Sequence, residues 1–241
     1  MPVYSITNQQ PGSKEKGEQR TLTEHASKRL QSEQTKGLLL GLPYRFAIWR
    51  EGECIWLHEE GWEVFMLPCE ALKSLHIMAY HPRWELQITL LYSEESAAFS
   101  TISLKNQSHE IRELRFLIHL PDQAGAAPEL SFVSPSQQVV LQYSREAVHL
   151  VGARFFQQAA PQVSVGIKDD IWEGESGKLA ISPLSKTSGE CMILMPLVMT
   201  GYEEACGQLW NLEAESEEGV WASYQQQIVA NSYCKEKTLD H

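Results

Sequence analysis

Residues 84–92 read WELQITLLY, and residues 99–120 read FSTISLKNQSHEIRELRFLIHL. In the first stretch Trp84, Leu86, Ile88 and Leu90 recur at every second position, with Glu85, Gln87 and Thr89 between them. In the second, Leu114, Phe116, Ile118 and Leu120 alternate with Arg115, Leu117 and His119. Successive side chains of a strand point to opposite faces, so this period of two predicts strands that each lay one face on a core. Asn106-Gln107-Ser108-His109 is a polar turn between two such runs.

The same pattern extends in both directions. Arg45–Arg50 and Glu53–His58 flank Glu51-Gly52, the signature of a hairpin closed by a two-residue turn. Glu63–Leu67 predicts a short strand that stops at Pro68, and Leu72–Tyr80 a longer one. Further short strands are expected at Leu130–Val133, Val139–Tyr143, Val148–Val151, Val163–Ile167 and Met192–Met199. Many short strands with turn residues between them signal an antiparallel sandwich or barrel, and the chain is expected to be mainly β and folded as an antiparallel β-sandwich.

The ends differ from this body. Residues 1–37 are rich in Gln, Ser, Thr, Lys and Glu and poor in large hydrophobes, which predicts a disordered tail. Residues 38–200 form the expected sandwich. Residues 201–230 are expected to hold one or two C-terminal helices packed on or flanking it. Ala205, Leu209 and Leu212 share one helical face over Tyr202–Leu212, and Trp221, Tyr224 and Ile228 share another over Val220–Val229. Residues 231–241 are polar and expected to fray.

The formal net charge is −11. Residues 1–36 carry six Lys/Arg and four Asp/Glu, so the rest of the chain is the more acidic part. Nucleic-acid binding needs clustered cations to neutralise phosphates, so no nucleic-acid partner is expected. The longest apolar run, Met192–Met199, is interrupted by Pro196 and is too short to span a bilayer, so no membrane partner is expected either. The five cysteines are odd in number, and none forms a Cys-x-x-Cys pair. Together with a start that lacks a secretory leader, they suit a reducing, cytoplasmic setting. The sequence specifies no oligomeric state.

The sequence holds no Gly-rich phosphate loop, no nucleophile elbow and no His-Glu-x-x-His. No metal site and no cofactor are expected. His76 and His81 are five apart, which a strand places on opposite faces, so they are poorly set as joint ligands. Cys191, beside Met192-Ile193-Leu194, reads as a core residue. One cluster carries more. Asp169-Asp170-Ile171-Trp172-Glu173-Gly174-Glu175 sets four carboxylates around a tryptophan. Carboxylates flanking an aromatic platform can bind sugar hydroxyls or perform glycosidase chemistry. The candidate ligand-binding residues are therefore Trp172, Asp169, Asp170, Glu173 and Glu175, with Trp62 as a second aromatic platform. No catalytic residue is assigned.

The run from Phe99 to Leu120, a strand, an asparagine, a polar turn and a strand, resembles the N-terminal supersandwich domains of (α/α)6-barrel glycoside hydrolases and phosphorylases. Glucoamylase-like, trehalase-like and glycogen-debranching enzymes are examples. Leu179–Met199, a long strand ahead of a helix, is similar as well. The resemblance covers residues 43–229 and implies a supersandwich fold. In those enzymes the catalytic acid and base lie on the helical barrel, which this chain lacks. The resemblance therefore implies a non-catalytic domain that binds a glycan or packs against a catalytic (α/α)6 partner. Two other expectations stand beside it: an interaction scaffold unrelated to sugars, and a small glycosidase-like enzyme using the 169–175 loop.

Overall fold

In the structure, a computed structural model, the residues described are 33, 35–69, 73–93, 99–122, 128–186 and 188–236. The described residues form sixteen strands. They are β1 (Arg45–Arg50), β2 (Glu53–Trp56), β3 (Glu63–Cys69), β4 (Ser74–His81), β5 (Leu86–Ser93), β6 (Phe99–Asn106), β7 (Arg112–Leu120) and β8 (Leu130–Ser134). Then come β9 (Val139–Tyr143), β10 (Val148–Phe155), β11 (Gln162–Val165), β12 (Trp172–Glu173), β13 (Lys178–Leu179), β14 (Leu184–Ser185), β15 (Cys191–Met199) and β16 (Glu204–Ala214). Residues 35–41 are helical (α1), as are Lys168–Ile171 (α2) and Glu217–Glu236 (α3).

Two antiparallel sheets face each other. The smaller has five strands in the order β11-β15-β7-β1-β2. The larger has nine, in the order β14-β8-β9-β10-β16-β6-β5-β4-β3. The period-two pattern fills the space between them. Phe46 and Ile48, Leu114, Phe116 and Ile118, and Ile193, Met195 and Leu197 enter from the small sheet. Ile77, Leu86, Ile88, Leu90, Ile102, Leu104, Val151, Phe155 and Leu209 meet them from the large one. Glu51 and Gly52 both take positive φ, so the β1–β2 hairpin closes with the turn its sequence called for.

Outer faces are covered too. On the large sheet α3 lays Val220 and Tyr224 over Val139, Leu141, Leu150, Trp210 and Leu212. The Ser216 hydroxyl accepts the Gly219 N–H at the start of α3 (3.2 Å), beside Glu217 and Glu218. Gly152 is required beneath this layer, because a Cβ there would collide with the rings and methyls of Trp210 and Val139. At the other end of the molecule the Arg45 guanidinium caps α1, donating to the carbonyls of Leu40 (2.6 Å) and Leu42 (2.5 Å).

Some expectations are corrected. Residues 204–214 are not a helix but β16, a central strand between β10 and β6. Ala205 and Leu209 point into the core, while Trp210 and Leu212 point at α3. A strand covered on both faces loses its alternation, and its apolar residues then mimic helical spacing. The helix expected over 220–229 is present but longer, running to Glu236, into the stretch expected to fray. Strand β3 continues through Pro68, which an edge strand tolerates. Pro196 also lies inside a strand, but the pairing of β15 with β11 ends at Leu194, so among the described residues Pro196 is paired only with Arg115 of β7. The expected tail up to residue 32 and the last residues, 237–241, lie outside the described residues.

Asn106 ties the two sheets together where the chain crosses between them. Its side chain, fully buried, donates to the carbonyls of Glu110 (2.7 Å) and Thr200 (2.9 Å) and accepts the Ser108 N–H (3.1 Å). Replacing it by Ala strands these buried groups, with an expected loss of about 3 kcal/mol in a urea unfolding titration. Asn106→Asp, which cannot donate, should lose a similar amount. A variant as stable as the parent would refute this role.

Candidate functional site

The outer face of the small sheet is built from Ala47 and Trp49 on β1, Cys54 and Trp56 on β2, Leu117 on β7 and Met192 on β15. These are the positions that alternate away from the core. A segment running from α2 through the β12–β13 ribbon lies across them, contributing Ile171, Trp172 and Leu179 to the same cluster.

Polar contacts hold this cover down. The Trp49 indole donates to the Gly174 carbonyl (2.8 Å). The Arg115 guanidinium donates to the carbonyls of Ser176 and Gly177 and stacks 4.2 Å from the Trp49 ring. Gly177, at φ 62°, lies so close to Trp49 and Arg115 that no Cβ fits there.

The acidic cluster thus sits on a hairpin cover. Asp169, Asp170, Glu173 and Glu175 are exposed on its rim, and Glu173 accepts the Ser176 hydroxyl. Trp172 is half-buried and spends ring surface on the sheet beneath. Trp62 is elsewhere. It packs against the main core, with its ring 5.0 Å from His81, which in turn contacts Trp84 at 4.6 Å. The structure therefore gathers Trp172 with the four carboxylates on one segment, Asp169 and Asp170 on α2 and Glu173 and Glu175 on the ribbon that follows, and places Trp62 in a different cluster. Among the described residues no group of three or more His, Cys, Asp and Glu is arranged to hold a metal ion.

A polar cluster at the edge of this cover escaped the sequence reading. His119 and Glu190 form a buried contact, Nε2 to Oε2 at 3.0 Å, and the same carboxylate oxygen accepts the Lys168 N–H (3.0 Å). The Lys168 ammonium lies 4.6 Å over the Trp56 ring. His119 and Glu190 are 71 residues apart, and only the pairing of β7 with β15 brings them together. Burial holds the His119 imidazole below its ordinary range, opposed by the hydrogen bond and charge of Glu190. Burial, helped by Glu59, pushes the Cys54 thiol up to about 12. Cys54 therefore stays a thiol and is no nucleophile at neutral pH.

Two facing antiparallel sheets of five and nine strands place the chain in the β-sandwich class, with the supersandwich form that the Asn106 hairpin anticipated. Among solved structures it is similar to a bacterial glucoamylase complexed with acarbose, at 6% identity and a TM-score of 0.53 over 81% of this chain and 30% of that one. Weaker likenesses reach a protein from the human microbiome described as a kojibiose phosphorylase (11% identity, TM-score 0.45, 81% of this chain and 25% of that one). They also reach an α-galactosidase of Geobacillus stearothermophilus in complex with raffinose (10% identity, TM-score 0.32, 71% and 30%). At such identities the likeness to the glucoamylase is one of fold. The chain spans 25–30% of the length of these proteins. No protein-family model matches the chain, and no curated protein matches its sequence.

Two measurements check this account. An unfolded imidazole titrates near about 6.5, so where His119 is held lower the unfolded chain takes up the proton first. Stability is then full above that pH and falls as pH drops below it. His58 and His81, also lowered by burial, add the same sign. The fall in melting temperature between pH 7 and pH 5 should be shallower, though not abolished, in His119→Gln. Arg115→Ala should release the ribbon, seen as faster amide hydrogen exchange over residues 172–179 with the core protection unchanged. Unaltered exchange there would show that Arg115 does not clamp the cover.

Proposed function

We propose that this chain is a non-catalytic β-sandwich domain of a carbohydrate-active enzyme system, which docks on a catalytic (α/α)6-barrel partner and binds carbohydrate. The observation that carries the reading is the fold likeness to the glucoamylase, in which the matched unit accounts for 30% of a longer enzyme chain. In that protein the rest of the chain is more than twice as long as the matched unit. The geometry of the acidic hairpin is consistent with that division of labour. Its carboxylates ring a cover whose underside is bonded to the sheet, and the one tryptophan among them is turned partly to packing.

A surface suited to the partner lies on the large sheet. Helix α3 covers the strands around β9, β10 and β16 but not those near β3. There Phe65 and Met78, directly opposite each other on β3 and β4, are 58% and 41% exposed, and Leu67 is 62% exposed. Neighbouring outward apolar side chains of this size mark an interaction face.

The test mixes the full chain with purified (α/α)6-barrel chains from the same genome and measures the mass by size exclusion with light scattering. A complex is expected with one of them. It should be lost in a Phe65→Lys, Leu67→Lys double variant whose melting temperature stays close to the parent's. Failure to bind any such barrel overturns the docking. Release of sugar by the chain alone, abolished by Asp169→Asn with Glu173→Gln, would make it an enzyme instead.

A further inference from the structure

Between α3 and the β8–β9 turn lies a groove of about 490 Å3, lined by Ser134, Ser136, Gln137, Trp221, Tyr224, Gln225 and Ile228. Ligand sites commonly span about 300–1,000 Å3 and pair an apolar wall with a few convergent polar groups. This groove has that make-up. Among the described residues its lining contains no charged side chain, in a chain whose net charge is −11.

The aromatic wall is set in place. Trp221 donates its indole N–H to Glu217 (3.2 Å), and the other oxygen of that carboxylate accepts the Tyr143 hydroxyl (2.8 Å). Tyr224 is wedged between Trp221 and Trp210, with ring centroids 5.6 and 5.5 Å away. The polar groups are free by contrast. The side chains of Ser134, Ser136, Gln137 and Gln225 make no hydrogen bond to any described residue. Two primary amides and two hydroxyls thus offer both donors and acceptors beside the half-buried Trp221 ring, which Tyr224 backs from the core. Such a lining gives a phosphate or carboxylate no counter-charge and leaves a purely apolar ligand facing unmet amides. It matches a pyranose, which presents C–H groups on one ring face and hydroxyls around its rim.

We infer that this groove binds a neutral carbohydrate of one or two sugar rings, stacked against the half-buried Trp221 and held through its hydroxyls by Gln137 and Gln225. This deepens the carbohydrate side of the proposed function and rests on it only for the choice of probes. It is separate from the docking face, since Phe65, Leu67 and Met78 take no part in the groove.

The test titrates the full chain with maltose, cellobiose, lactose and raffinose. Binding is followed by tryptophan fluorescence and by saturation-transfer NMR, with glucose 6-phosphate as the charged control. At least one neutral sugar should bind saturably, and the phosphate should not bind more tightly. Losing one neutral hydrogen bond is worth about 1 kcal/mol, so Gln137→Ala and Gln225→Ala should each weaken binding about fivefold. Ser136→Trp, which fills the groove from an exposed turn, should abolish it without lowering the melting temperature. Absence of binding by every neutral sugar overturns the inference, as does binding that all three variants leave unchanged. Either result leaves the barrel-docking experiment standing, and a failed docking experiment leaves the groove standing.

Discussion

The carboxamide of Asn106 sits where the architecture is decided. The chain passes from the large sheet to the small one between β6 and β7, and back again between β15 and β16. Both crossings occur at the same end, and one side chain bonds to both, through Glu110 and Thr200. Backbone bonds add to it: Asn106 N–H donates to Glu203 and Tyr202 N–H to Ser108, each at 2.9 Å. Crossing loops carry backbone groups that no sheet can pair, and burying them unpaired is costly. An amide is the side chain that can donate twice and accept as well. With the crossings fixed, the registers of β6 with β16 and of β7 with β15 follow, and these two pairings run through the middle of the two sheets.

From that frame come four layers rather than two. Each sheet has the shared core on one side and a cover on the other, α3 over part of the large sheet and the α2–β13 segment over part of the small one. The features that suggest function lie at the limits of these covers. The acidic hairpin is itself a cover. The neutral groove lies at the rim of α3. The exposed Phe65, Leu67 and Met78 lie where no cover reaches.

Legibility in the sequence followed solvent contact. Strand β5 was readable because Gln87 and Thr89 mark the side away from the core, and β7 because Glu113, Arg115 and His119 do so, although Leu117 among them is apolar and covered. The β1–β2 hairpin was readable because its turn has few chemical solutions. Strand β16 was not readable. It carries apolar residues on both faces, and nothing local says that a helix formed by later residues will cover one of them. The site was legible only in part. The acidic cluster is contiguous in sequence and therefore visible, whereas its attachment through Trp49 and Arg115 depends on contacts across 125 and 62 residues. The His119–Glu190 pair and the groove residues around Trp221 are assembled entirely by pairing and packing. No local pattern announces them.

Strand β3 joins two opposite properties. Its outward side chains are apolar, yet it is the last strand of the large sheet and carries Pro68, which has no N–H to offer a further strand. At the opposite edge β14 is only two residues long. The sheet therefore resists growth by strand addition while remaining adhesive through its face. Such a surface selects convex, side-chain-studded neighbours such as helices over extended peptides, and it discriminates against the edge-to-edge stacking by which β-proteins form fibrils.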